Sequence, residues 1–138
     1  MNMSWTLCFS QSADINCHKA YFEDSANAIF GMLIRSTFEV RLRKHFRHTQ
    51  NHSSQMEDPA WFALRNTVYA IGCRCLLANS TTLTFEQAEG KAWQLFCNAL
   101  SVFGELIFSH SGLTAIQALA TMVGCTSLTQ LGICIPDH

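Results

Sequence analysis

The most constraining feature of this sequence is a regular apolar spacing that follows Asp58 and Pro59. Asp is favoured just before a helix, and proline is favoured at its first position. Apolar side chains then recur at steps of three and four residues, at Trp61, Leu64, Val68, Ile71 and Cys75. This spacing is typical of one face of an α-helix. It predicts a helix that begins at Asp58-Pro59 and ends by Asn79.

The rest of the chain also predicts helices. It contains only two prolines and seven glycines, and no long segment alternates strictly between apolar and polar residues. Four further helices are predicted over residues 17–30, 36–46, 84–108 and 114–128. Ser36 or Thr37 is expected to cap the second helix, and Thr84 with Gln87 has the form of a capping box. Because the last three helices are joined by short turns, we expect an all-α fold of about five helices in antiparallel hairpins.

The polar ends and connections suggest a simple domain organisation. Residues 1–16 carry little pattern, and we expect a ragged N-terminal tail there. A chain of 138 residues suits one domain, which we place over residues 17–138. Residues 48–57, HTQNHSSQME, are polar and have no period, so they predict a loop.

The low content of charge implies a partly apolar surface. Charged residues make up 14% of the chain, against roughly 25% in a typical soluble domain. A domain of this size has a large surface relative to its volume, so much of that surface must be apolar or uncharged. This predicts a face that is covered by a partner or by further sequence.

Membrane insertion and secretion are not expected. The uncharged stretch Leu106–Gly124 has the length of a membrane span, but Ser109–Gly112 interrupts it. We therefore expect two helices joined by a turn. The first ten residues lack a basic segment followed by an apolar core, so they do not have the form of a secretory signal. An intracellular protein without a membrane partner is predicted.

One basic cluster is a candidate interaction face. The formal net charge of the chain is -1, so no global positive field favours nucleic acid. Locally, the second predicted helix has its apolar side at Phe38, Leu42 and Phe46. Its other sides carry the cations Arg41, Arg43, Lys44 and Arg47. Such a run is explained by a solvated helix face; as an interaction face it would suit nucleic acid or an acidic partner.

The seven cysteines and six histidines do not form a recognisable chemical motif. Cys73 and Cys75 diverge by about 200° on a helix, which is wrong for shared zinc coordination. Neither a phosphate-binding glycine motif nor a nucleophile elbow is present. We expect no metal or cofactor in this chain, no catalytic residue and no enzyme. Most cysteines are expected to be small buried side chains in a reducing compartment. A Cys–His pair assembled by the fold is the alternative.

Four segments follow one another in a familiar order: AYFEDSANAIFGMLIRSTFEVRLRKHF, EDPAWFALRNTVYAIGCRCL, LTFEQAEGKAWQLFCNAL and SGLTAIQALATMVG. The stretches Met32–Phe38, Asp58–Gly72 and Leu113–Leu119 carry most of the pattern. Together they resemble the fungal-specific transcription factor domain, which is the regulatory or middle homology domain of fungal binuclear zinc-cluster transcription factors. The resemblance covers residues 17–132. It implies a nuclear, all-helical module that controls an attached DNA-binding domain and activation segment.

The chain departs from this family in three ways. Ile34 and Ser36 stand where the family has His and Pro, and the family domain continues with several further helices. The DNA-binding cluster of six cysteines, which begins with C-x-x-C, has no counterpart in the sequence. The resemblance therefore implies a truncated, N-terminal part of the regulatory domain. Zinc is expected only in the missing cluster, and DNA only indirectly through a separate domain.

The alternative is a free-standing helical interaction module, or a decayed paralogue, that binds another regulator. Either role predicts protein partners or self-association through exposed apolar helix faces. The regulatory-domain interpretation adds a specific expectation. The fourth and fifth predicted helices should expose an apolar surface where the family's further helices would pack.

Overall fold

The computed structural model describes residues 11–23, 31–51, 57–78, 85–108 and 112–131. In these ranges the chain forms the helices α1 (Gln11–Glu23), α2 (Arg35–Gln50), α3 (Pro59–Ala78), α4 (Phe85–Leu100), α5 (Phe103–Phe108) and α6 (Leu113–Leu131). The described ranges contain no strand, so the predicted all-α fold is confirmed.

Helix α3 lies at the centre of the fold, and α1, α4 and α6 make their main contacts with it. The five apolar positions that predicted this helix are all buried. Every residue from Asn66 to Cys75 is buried as well, so α3 is enclosed on all sides rather than along one stripe. The predicted start is confirmed, because the Ala60 amide donates to Asp58 Oδ1 at 3.2 Å.

Two pairs of neighbouring helices run antiparallel, as their polar pairs show. Between α3 and α4, Asn98 Nδ2 donates to Asn66 Oδ1 at 3.2 Å. In the same pair of helices, Arg74 Nε of α3 lies 2.8 Å from Glu89 Oε1 of α4. Position 66 thus faces 98 and position 74 faces 89, which requires opposite directions. The pairs Glu23–Arg35 and His18–Glu39 give the same result for α1 and α2.

The first two helices differ from the prediction at their ends. Helix α1 begins at Gln11, six residues before the predicted start at Cys17; residues 1–10 and 24–30 lie outside the described ranges. Neither Ser36 nor Thr37 caps α2. The helix begins at Arg35 after the extended Ile34, with no side-chain cap, and Ile34 O accepts from the Phe38 amide at 3.0 Å.

Helix α2 also extends further than predicted, to Gln50 instead of Phe46. The first part of the predicted loop is therefore helical, while residues 52–56 lie outside the described ranges. Residues 31–34, which come directly before α2, are not helical. Gly31 has a φ of 58°, a left-handed conformation that favours glycine.

The single fourth helix that the sequence predicted is two helices. The α-helical pattern ends at Leu100, and α5 begins at Phe103. At the break, Ser101 Oγ donates to Asn98 O at 2.6 Å. The Val102 amide bonds to Ala99 O at 3.3 Å, three residues back. Local hydrogen bonds of this kind compete with the helical pattern. Thr84 lies outside the described ranges, so the capping box stays a prediction.

At Gly72, α3 comes into direct contact with the backbone of α1. A Cβ at this position would overlap the carbonyl oxygen of Cys17 and lie 3.2 Å from the Tyr21 amide nitrogen. That carbonyl and that amide are four residues apart in α1. Only a residue without a side chain allows the two backbones to touch here.

We expect Gly72→Ala to lower the free energy of unfolding by about 2 kcal/mol or more, because overpacking of a tight core costs roughly 1–3 kcal/mol. The matched control is Gly90→Ala in α4. An added Cβ at Gly90 meets no atom within 4 Å, so this change should raise stability by about 0.5–1 kcal/mol, as alanine does in helices. Urea unfolding followed by circular dichroism measures both. Equal effects of the two substitutions would contradict the close contact.

Candidate functional site

The four cations singled out in the sequence do not form one exposed patch. Arg43, Lys44 and Arg47 are exposed on α2, whereas Arg41 is half-buried. On the opposite side of this helix, Phe38 and Leu42 are buried and Phe46 is half-buried. Three of the cations therefore remain available to a partner. The fourth, Arg41, contacts other residues of this chain.

Arg41 connects three helices. Its Nη1 donates to Thr114 Oγ1 of α6 at 2.9 Å, and its Nη2 donates to Asp58 Oδ2 at 3.3 Å. Its guanidinium carbon lies 4.7 Å from the centroid of the Trp61 ring, a favourable cation–π distance. Arg41 thus joins α2 to the beginnings of α3 and α6.

Large apolar side chains are exposed along α4 and α5. We define the α4–α5 apolar surface as Trp93, Leu100, Phe103, Ile107 and Phe108. Trp93 is 58% exposed and Phe108 is 87% exposed. Phe96, three residues after Trp93 on the same helix, is buried instead. Cys97 is exposed between these residues.

Helix α6 adds a second exposed apolar row. Leu113, Ile116 and Val123 are between 64% and 70% exposed and recur at steps of three and seven residues, so they lie along one face of the helix. We call them the α6 apolar stripe. The opposite face packs through small side chains, Ala115 and Ala118. The expected apolar surface on the fourth and fifth predicted helices is therefore present.

Glu57, just before α3, contacts Arg65 of α3 and His45 of α2. Arg65 Nη2 donates to both carboxylate oxygens of Glu57, at 2.8 and 3.0 Å. His45 Nδ1 lies 3.6 Å from Glu57 Oε1. Burial, reinforced by the positive charges of Arg65 and His48, lowers the pKa of His45 to about 4. His45 is therefore neutral near pH 7, and it carries no charge that would contribute to a basic face.

A groove lies between α1 and α2. Its cavity volume is about 390 Å³. Helix α1 contributes His18 and Lys19, and α2 contributes residues on four successive turns, Glu39, Leu42, Arg43, Phe46, Arg47 and Gln50. Two of the three exposed α2 cations thus line a concave site, and Lys44 does not.

The described cysteines behave mainly as core residues. Cys17, Cys73, Cys75 and Cys125 are buried, and none of the five described cysteines forms a disulfide. The Cys73 thiol hydrogen-bonds with the Cys17 thiol across α1 and α3, and this contact lowers the pKa of Cys73. Cys8 and Cys134 lie outside the described ranges.

The described ranges contain neither a metal-binding cluster nor a membrane-spanning helix. Nowhere in these ranges do three His, Cys, Asp or Glu side chains come together in a way that would hold a metal ion. No helix in the same part of the chain is both long and apolar enough to cross a membrane.

Comparison with known proteins relates most of the chain to a transcription factor. Over 101 residues, which are 73% of this chain, the sequence is 31% identical to an ABC-transporter-regulating transcription factor of Aspergillus fumigatus. The chain is similar to part of a fungal transcription factor. It spans 10% of the length of that protein. No family model matches the chain, and no solved structure matches it.

The sequence did not reveal the groove or the role of Arg41. The signal for the groove was present, since Leu42–Arg43 and Phe46–Arg47 repeat an apolar–cationic pair after one helical turn. This repeat alone does not predict a groove, because the groove also requires α1 to lie beside α2. The contacts of Arg41 join residues up to 73 positions apart, and no local pattern encodes such a contact.

We expect Arg41→Gln to lower the free energy of unfolding by about 1–2 kcal/mol, because it removes a hydrogen bond, an ion pair and a cation–π contact. Arg43→Gln, two positions along the same helix, removes an exposed cation and should change stability by less than about 0.5 kcal/mol. Thermal or urea unfolding of both variants tests this. Equal stability of the two variants would show that the Arg41 contacts contribute nothing.

Proposed function

We propose that this chain acts in transcription regulation as part of a regulatory, middle homology domain like those of fungal zinc-cluster transcription factors. The observation that carries the proposal is the 31% identity over 101 residues to an ABC-transporter-regulating transcription factor. In this role the chain works in the nucleus and influences an activity that is attached to DNA by a separate zinc-cluster domain. Zinc and DNA are therefore bound elsewhere, and the α2 cations are not the primary DNA contact.

The contacts between the resembling segments support this proposal. The Phe38 ring, from the first segment, lies 5.2 Å from the Trp61 ring of the second. Gln117 Nε2, from the last segment, donates to Met32 O at 3.1 Å, across 85 positions. The residues that carry the resemblance thus share one core, as expected if they are the interior of a common domain.

The exposed apolar residues support the idea that this is one part of a larger helical domain. Monomeric proteins rarely expose large contiguous apolar patches without a partner. The α4–α5 apolar surface and the α6 apolar stripe belong to helices whose other faces already pack on α3. Further helices of the same polypeptide, or of another regulator, would cover them.

A tethering experiment tests the proposed role. The chain is inserted between a heterologous DNA-binding domain and a constitutive activation segment, and reporter output is measured in a fungal host. We expect the insertion to lower reporter output relative to an unrelated helical domain of the same length. We expect Trp93→Glu to remove the effect, because it places a charge on the α4–α5 apolar surface.

The matched control is Gln94→Glu, which places the same side chain at the next, exposed position of α4. It should keep the effect of the wild-type chain. Equal output from the wild-type insertion and from the unrelated domain would refute the regulatory role. Cellular protein levels are compared by immunoblotting, so that degradation is not mistaken for regulation.

The second candidate is a free-standing interaction module, and the exposure of Ile116 and Val123 favours it. These two residues are 64% and 65% exposed and would suit helix-to-helix association. If the chain works alone in this way, the purified protein should self-associate, with a mass by light scattering above that of one chain. Ile116→Glu should shift it toward the monomer. A monodisperse monomeric wild type that binds no dye for apolar surface would argue against this candidate.

A further inference from the structure

The groove between α1 and α2 combines an apolar floor with a cationic border. Its floor on α2 is Leu42, which is 2% exposed, with the half-buried Phe46 one turn later. Lys19 of α1 stands across from Arg43 and Arg47 of α2, and all three cations are exposed. A ligand for this site must therefore offer both apolar and negatively charged groups.

The cations of the groove have no acidic partner in the described part of the chain. None of the ion pairs found there includes Lys19, Arg43 or Arg47. The acid in the groove, Glu39, is already engaged. It accepts from Arg35 Nε at 2.9 Å and lies 3.2 Å from His18 Nε2, and the Arg35 contact lowers its pKa. The site therefore keeps an excess of positive charge.

The shape of the groove favours an elongated ligand. Its lining on α2 extends from Glu39 to Gln50, which corresponds to roughly 16 Å along a helix. The apolar–cationic pair repeats after one turn in this direction. A partner helix with acidic and apolar side chains at the same spacing would match both repeats, whereas a compact metabolite would meet only one.

The floor also contains a polar group that lacks a partner. His18 is 5% exposed, and its Nδ1 makes no hydrogen bond within the described ranges. A buried polar atom without a partner costs free energy. On the α1 side of the groove, the exposed Lys19 is therefore the group that can contact a ligand.

We propose that the groove formed by Leu42, Phe46, Lys19, Arg43 and Arg47 binds an acidic amphipathic helix of a protein partner. The acidic side chains contact the three cations, and the apolar side chains lie on Leu42 and Phe46. The proposal does not depend on a role in transcription, because it concerns binding by the isolated chain. The apolar surfaces of α4–α6 are not involved.

The experiment uses a short fluorescein-labelled helical peptide of leucine and glutamate, with its leucines on one face, and the full 138-residue chain. Fluorescence anisotropy measures its binding at low and at physiological salt. We expect Arg43→Glu and Arg47→Glu each to raise the Kd about tenfold or more, because each replaces an attraction by a repulsion. Added salt should weaken binding of the wild-type chain, since it screens exposed charges.

Lys44→Glu is the matched control, because it makes the same charge change on the same helix outside the groove. It should change the Kd by less than about threefold. Circular dichroism of each variant confirms that the fold is intact. A second peptide carries glutamine in place of every leucine. Its Kd for the wild-type chain should be at least as high as the Kd of the leucine peptide for the Arg47→Glu variant.

Three outcomes would overturn the proposal. An equal loss from Lys44→Glu and Arg47→Glu would mean that the peptide responds to the net charge of α2. Equal binding of the leucine and glutamine peptides would mean that the apolar floor is not used. Displacement of the peptide by an equal concentration of octanoate would assign the groove to small amphipathic anions instead of a protein helix.

Discussion

The contact between the backbones of α1 and α3 at Gly72 sets how closely α1 packs on the central helix. Because no side chain separates the two helices there, α1 lies close enough for Cys17 and Tyr21 to become fully buried. Helix α1 in turn forms one side of the groove and positions His18 beside Glu39. A wider separation of α1 and α3 would therefore remove both the tight core and the concave site on α2.

The enclosure of α3 favours partners for its buried polar residues, since a buried polar group without a partner costs free energy. Asn66 and Thr67 donate to the carbonyl oxygens of Phe62 and Ala63 in their own helix, at 2.9 and 2.7 Å. Arg74 is 5% exposed and meets Glu89 of α4. Removing charges from water costs free energy, so a buried ion pair is weak evidence for added stability. The Arg74–Glu89 pair and the Asn66–Asn98 hydrogen bond together fix the position of α4 along α3.

Much of the fold could be predicted because its signals are local. Asp58-Pro59 and the spacing from Trp61 to Cys75 encode α3 within a single helix, and the structure follows them. The early end of α4 also has a local physical cause. Ser101 forms a hydrogen bond that ends α4 early, although the apolar spacing continues through Leu106. Trp93 has the spacing of a core residue, but spacing does not show whether another helix faces it.

The candidate surfaces were less predictable, because they arise between segments that are distant in sequence. The four cations of α2 look equivalent in a linear reading, yet Arg41 is separated from the others by its contacts with Thr114 and Trp61. The groove needs α1 and α2 side by side. Sequence periodicity assigns residues to helix faces, while tertiary packing decides which faces remain open to a partner.

The central position of α3 has a consequence for the order in which the chain folds. Its contacts with α4 are the most local of its main contacts, since only residues 79–84 separate the two helices. Short loops close quickly, and contacts of low sequence separation form early. Helix α1, in contrast, leaves the ribosome before its binding face on α3 has been made. The nascent chain must therefore hold Tyr21 and Cys17 exposed until α3 provides the surface that buries them.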